Sequence, residues 1–298
     1  MIGALLASVA ALALLAAPAH AWQIRKAASS YISPDSVVSG AGHWWGLRAW
    51  SAANIGQPII NIRRASDSTT TDIVALADGS LDVATAGTFC AATTCFAVTV
   101  YDQVTNTDCT GSLPCHITQA TTSRQPALVF NCIGTLPCLR GTNAASTCLG
   151  SAADGTAHAQ PLTYSTVVAP TWASNRSVMV NTSAVDAGNP TLRTSTVANN
   201  LRISAGVAFT QAYTSAAWTS WQALFNGVSS ISRQNGAETA ASNAGANGTG
   251  GGGWSIFANN ACAAASDMDW TESGMWGSGF DATERANMET NQRNYWGF

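Results

Sequence analysis

Eight cysteines, all lying downstream of an uncharged apolar leader, constrain this chain more than any other feature. Residues Ile2 to Ala19 carry no charge and are dominated by Ala and Leu, and Ala19-His20-Ala21 is a small-x-small cleavage pattern. The expectation is a signal peptide over residues 1–21 and a mature chain from Trp22. A retained membrane anchor is the alternative, but the apolar run is short of the ~20 residues a spanning helix needs. An even number of cysteines in an exported chain reads as disulfides. Cys90/Cys95, Cys109/Cys115 and Cys132/Cys138 form three close pairs, which leaves Cys148 and Cys262 for each other. That last bridge would close a loop worth up to about 4–5 kcal/mol in chain entropy. Zinc is the rival use of the thiols, with His116 the one histidine beside them. The expectation is no metal, no cofactor, and a secreted or periplasmic protein with no membrane contact after cleavage.

The residues beyond the leader, 22–298, suffice for a single large β domain. Only 10% of the chain is charged and its net charge is −3, with no basic run that would mark a nucleic-acid surface. Period-two apolar patterning predicts strands at 58–64, 96–101 and 127–130, and strands also fit 162–169, 176–182, 201–210, 221–226 and 254–259. Residues 70–78 read as a loop or short turn, and the Gly-rich segment 243–253 as an exposed loop. Helical signals wait until the end, where Asp281-Ala-Thr-Glu284 forms a capping box before a short helix from Ala282 to about Tyr295. Many short strands and one terminal helix predict an all-β fold, a two-sheet β-sandwich.

Two stretches carry a resemblance. The first runs through Gly46-Leu-Arg48, Ile62-Arg-Arg-Ala-Ser-Asp67, Thr71-Asp-Ile73, Thr88-Phe-Cys90, Cys95, Val100-Tyr-Asp-Gln103, Thr118-Gln-Ala120 and Gln125-Pro126. It resembles the catalytic domain of family 54 α-L-arabinofuranosidases, the arabinofuranosidase B type. The second comprises Leu224-Phe-Asn-Gly227, Asn235-Gly236, Trp270-Thr-Glu272, Asp281-Ala-Thr-Glu-Arg285 and Trp296-Gly297. It is similar to the end of that domain and to laminin-G-like, concanavalin A-like jelly rolls. The resemblance implies a jelly-roll sandwich and retaining hydrolysis of arabinofuranosyl groups, which needs two carboxyl groups ~5–5.5 Å apart. It also implies a nucleophilic Glu three residues before the Leu-Phe-x-Gly motif, where this chain has Trp221. The implied acid falls near Asn259 and Asn260, which carry no carboxylate.

Other carboxylates must then be weighed. Asp67 could bind a sugar hydroxyl, or pair with Arg63 and Arg64 and cap a turn. Asp102 could stand in a site at a strand end, or fix an Asx turn. In an extended 267–272, Asp267 and Asp269 share one face and Met268, Trp270 and Glu272 the other. Trp270 could then stack on a sugar beside a desolvated Glu272 acting as acid, or Glu272 could be a buried sheet residue. Trp44 and Trp45 are adjacent, so one ring should face out as a sugar platform, while His43 beside them reads as a loop histidine. The candidates are thus Glu272, Asp102 and Asp67 for catalysis, and Trp44, Trp221, Asn259, Asn260 and Trp270 for substrate. The expected partner is an arabinose-containing glycan. The resemblance thus implies a secreted α-L-arabinofuranosidase-like glycoside hydrolase acting on arabinose-containing polysaccharide, and the rivals are a lectin-like module without catalysis and a structural adhesion protein.

Overall fold

The structure, a computed structural model, describes residues 31–104, 115–181, 188–259 and 261–298. The leader, Cys109 and Asn260 lie outside them. The first strands are β1 (His43–Gly46), β2 (Pro58–Arg64), β3 (Thr70–Val74), β4 (Cys95–Val100), β5 (Ile117–Thr118) and β6 (Ala127–Ile133). Then come β7 (Leu136–Gly141), β8 (Leu149–Ala153), β9 (Leu162–Pro170), β10 (Ser177–Asn181), β11 (Thr191–Thr194) and β12 (Asn200–Ser204). The last are β13 (Ala208–Ala212), β14 (Thr219–Phe225), β15 (Ile231–Gln234), β16 (Ala237–Glu238), β17 (Gly253–Ile256) and β18 (Met268–Trp276). Helices α1 (Pro34–Val37), α2 (Val83–Phe89) and α3 (Ala282–Trp296) complete the elements used here.

Antiparallel pairing builds two layers. One runs β3-β2-β4-β6-β7-β18-β9-β14-β15-β16, with β1 also on β18. The other runs β5-β8-β17-β10-β11-β12-β13, and β4 joins the layers by bonding β5 as well as β6. The fold is an all-β jelly-roll sandwich with a short C-terminal helix. Between the layers lie Trp45, Tyr164, Trp221, Phe225, Trp254 and Trp270, all fully buried.

Three sequence expectations need correction. Residues 70–74 are a strand rather than a loop, held on β2 by pairs such as Ile60 with Ile73. The span 201–210 is not one strand but the β12–β13 hairpin, turning at Gly206, whose φ of 105° is open to glycine. The segment 243–253 is partly buried, because its glycines let backbone touch backbone: a Cβ on Gly245 would lie 2.1 Å from the Ala205 oxygen. The helix is as expected. The Asp281 side chain accepts from Glu284 N and the Glu284 side chain accepts from Asp281 N, both at 2.8 Å. Its inner face docks on the outside of β9 and β14 through polar groups, with Gln292 bonded to Ser220 and Ser165.

Cys90–Cys95, Cys132–Cys138 and Cys148–Cys262 are bonded as expected, and Cys115 is also disulfide-bonded. The last named pair joins residues 114 apart in sequence.

Candidate functional site

Strand β18 decides where the carboxylates go. Its register on β9 shifts between Trp270, opposite Val168, and Glu272, opposite Val167. Thr271 is the extra residue of a β-bulge, and a bulge resets the alternation of side chains beyond it. Trp270 and Glu272 therefore face opposite ways, which corrects the expectation of a ring beside an acid. Trp270 points into the sandwich, where its Nε1 donates to Ser273 Oγ at 2.8 Å. Glu272 shares the outer face with Asp269, which stands opposite Ala169.

On that face Glu272 meets Arg48. Arg48 Nε and NH2 donate to the two carboxylate oxygens at 2.6 and 2.8 Å, and both side chains are fully buried. Tyr295 covers the guanidinium at 4.5 Å from its ring centre. Gly46 makes this approach possible, since a Cβ there would lie 2.9 Å from that of Glu272. Fully buried, with both oxygens held by arginine, this carboxylate has no edge for a sugar.

The remaining candidates are also engaged. Asp102 is buried, and its Oδ2 lies 2.7 Å from His43 Nδ1 while its Oδ1 accepts from Trp44 N at 3.0 Å. Asp67 is exposed and closes a turn, accepting from Thr69 N and Oγ1 at 3.1 and 2.8 Å with Arg64 at 3.7 Å. The Thr69 hydroxyl and amide, aided by Arg64, lower its pKa. Trp44 and Trp45 are both buried, because β1 is covered on each side: Trp45 faces the sandwich, and Trp44 packs with Trp50 and Trp276 in a second cluster. Trp221 is sealed in the core and donates to Ser232 Oγ at 2.9 Å. Asn259 is buried, its Oδ1 accepting from Ala261 N and Ala263 N. Apart from Asp67, none of these side chains offers an open surface.

His43, read from sequence as a loop residue, is instead a fully buried strand residue in a charged chain of groups. Beyond Asp102 it approaches Asp154, whose carboxylate lies 3.5 Å from the Nε2 of both His43 and His158. Trp254 Nε1 donates to the same oxygen at 3.0 Å, and Trp45 stacks on the His43 ring. Burial alone would lower the His43 pKa, but hydrogen bonds to Asp102 and Asp154 more than offset it and raise it to about 9. Burial would likewise raise Asp154, yet His158 and His43 hold it well below the carboxylate range. This network ties β1, the segment around Asp154 and β17 together.

An open groove lies where β7 and β9 end and β18 begins. Arg140, Asp267, Asp269 and Trp218 line a groove of about 280 Å³ floored by Met268 and Ala169. Asp269 accepts from Arg140 Nε and NH2 at 2.7 and 2.8 Å across the strand pair, with the arginine side chain half exposed. Asp267 accepts from Asn143 N at 2.8 Å. The shared face of Asp267 and Asp269 was legible from alternation. Arg140 and Trp218 were missed, because strand partners and loop proximity leave no trace in local pattern. An arginine fork, two carboxylates and a flat ring provide donors and acceptors beside an apolar platform, the combination that suits a ring bearing hydroxyls.

Comparison with known proteins bears on the fold. Residues 43–132 match the family model described as alpha-L-arabinofuranosidase B, catalytic. A family 54 α-L-arabinofuranosidase soaked with a cyclic sulfate inhibitor superposes with a TM-score of 0.69 at 17% identity, over 87% of this chain and 64% of that one. The chain has the fold of an arabinofuranosidase B catalytic domain. A glutamate-to-glutamine mutant of such an enzyme, soaked with 4-nitrophenyl α-L-arabinofuranoside, gives 0.66 at 15% identity. An arabinofuranosidase complexed with arabinofuranosyl-α-1,2-xylobiose gives 0.62 at 18%. Each match again covers 87% of this chain and 64% of the other, so the arabinofuranosidase-like chain spans under two thirds of the structures it resembles. No curated protein matches it in sequence.

Proposed function

We propose that this protein is an exported carbohydrate-binding protein built on the arabinofuranosidase fold, and that its ligand is an arabinose-containing glycan held in the groove of Trp218, Arg140, Asp267 and Asp269. The observation that carries the reading is the contrast between that groove and Trp221. At the position where the family resemblance calls for a nucleophilic carboxylate stands an indole buried in the core. The retaining hydrolysis that the resemblance implies uses two carboxyl groups about 5–5.5 Å apart beside one sugar, and an indole at Trp221 supplies neither. Binding needs only a platform and polar edges. Export fits the disulfides and the absence, among the described residues, of a helix long and apolar enough to cross a membrane.

Hydrolysis is the second reading, favoured by the match of residues 43–132 to a catalytic family model. Its carboxylates would be Glu272 with Asp102 or Asp67. One pair of measurements separates the two. Binding of arabinan and arabinoxylan is followed by calorimetry, and release of nitrophenol from 4-nitrophenyl α-L-arabinofuranoside by absorbance. The expected result is saturable binding, weakened at least about tenfold in Trp218→Ala by loss of the stacking contact, and no turnover. Turnover that persists in Trp218→Ala but is lost in Glu272→Gln, with the fold intact, would overturn the binding reading.

A further inference from the structure

A larger concavity of about 700 Å³, sharing no lining residue with the groove, lies between α1, the turn carrying Asp78 and one face of α3. The helix turns Asn287, Asn291, Asn294 and Tyr295 toward it, spaced three and four residues apart and so stacked on one side. Asn287 and Asn294 are exposed and Asn291 is buried. Asparagine is a poor helix former, because its side chain competes for backbone hydrogen bonds, so three of them on one stripe run against helix propensity.

Asn291 makes the case specific. It is only 7% exposed, its Nδ2 donates to Ile32 O at 2.7 Å, and its Oδ1 has no hydrogen-bond partner. Buried amide oxygens without partners are uncommon and call for an explanation. The charge around the cavity is simple. Arg48, beneath Tyr295, is already neutralised by Glu272, and Tyr31 donates its hydroxyl to Ala49 O. Asp78 is the one charged side chain of the lining. The walls thus ask for hydrogen-bond donors, offer amide donors in return, present tyrosine edges, and hold no cation for an anion. The volume lies within the range of about 300–1,000 Å³ typical of small-ligand sites.

We infer that this cavity is a second saccharide site, for a neutral oligosaccharide whose hydroxyls bond the Asn287, Asn291 and Asn294 amides and the Asp78 carboxylate. The inference rests on the proposed function for the class of ligand but not for the place. Two sites on one chain would let a polysaccharide engage both, raising its apparent affinity above that of either site alone.

The test is a titration of the full mature chain with α-1,5-arabinotriose, followed by NMR of side-chain amide and indole signals. Asparagine amides at 287, 291 and 294 report this cavity, and the Trp218 indole reports the groove. Saturable shifts of the cavity amides, lost in Asn287→Ala/Asn294→Ala at unchanged Tm, are expected. Those two side chains are exposed, so the double variant leaves the core intact. Shifts of the Trp218 indole alone would overturn the inference and leave the groove reading standing. Shifts of the cavity amides alone would do the reverse, and silence of both would sink the two together.

Discussion

Two arginine–carboxylate forks end on the outer face of β18, three residues apart, and differ in their access to water. Glu272 with Arg48 is fully buried beneath Tyr295 and α3. Asp269 with Arg140 has nearly the same bond lengths, 2.7 and 2.8 Å, yet lies at the rim with half the arginine in solvent. Without the bulge at Thr271 the two carboxylates would point to opposite faces. With it they share one, and the helix then covers only the first. The same chemical pair is therefore a buried strut in one place and, under the proposed function, an open binding edge in the other. Residue type did not distinguish them; the position of α3 did.

The largest expected effect breaks the buried member. Glu272→Gln leaves the Arg48 cation desolvated against a neutral amide, and losing one partner of a buried pair costs about 3–5 kcal/mol. Urea unfolding should show that loss. Replacing both partners with apolar groups, as in Arg48→Met/Glu272→Leu, should restore most of it, because no uncompensated charge then remains. A stability unchanged in Glu272→Gln would mean that the fork is not a strut, and would return Glu272 to the list of candidate acids.

These two forks also show how far the sequence could be read. The sandwich, the terminal helix with its capping box and the close pairs Cys90–Cys95 and Cys132–Cys138 were legible, because alternation, caps and close spacing are local signals, and Cys148–Cys262 followed as the remaining pair. Asp267 and Asp269 on one face were legible for the same reason. Trp270 beside Glu272 failed at a single inserted residue: a bulge is invisible to period two, and one residue of slip moves every later side chain to the other face. Trp44 failed because alternation says only that adjacent rings diverge. It cannot say that β1 is covered from both sides. His43, Asp102 and Asp154 are brought together by strand pairing across distant segments, so no spacing rule could have joined them.

A smaller effect, confined to pH, probes the other buried charge. His43 has its pKa raised from 6.5 to about 9, so its contribution to stability is fully present below about 6.5 and is lost as pH rises through 9. Asp154 works in the other direction. Its pKa is depressed, so its contribution is present above the ordinary aspartate range of about 4 and is lost as pH falls below it. His116, pushed down by burial, also disfavours low pH, from about 6.5 downward. Stability should therefore peak near pH 6.5 and decline toward 9. In His43→Gln the alkaline decline should flatten. A melting temperature that stays level from pH 6.5 to 9 in the native protein would show that His43 is not held protonated between its two aspartates.

The smallest expected change in stability belongs to the rim. Arg140→Ala removes a fork with half its arginine in water, and exposed pairs of this kind contribute about 0–1 kcal/mol. The variant should therefore melt within a few degrees of the native protein, in contrast to Glu272→Gln. Its effect on glycan should be the reverse. Arg140 supplies charge-assisted donors beside the Trp218 ring and holds Asp269 in its orientation, so its loss removes a donor and frees an acceptor at once. Affinity for arabinan should fall by about tenfold, the equivalent of one hydrogen bond to a charged group. Arg140→Lys should recover only part of it, because an ammonium cannot hold both Asp269 oxygens in the plane of a fork. Calorimetry of the three proteins at one salt concentration measures this directly. If Arg140→Ala lost several kcal/mol of stability and kept native affinity, the rim fork would be a second strut, and the distinction drawn from α3 would fail.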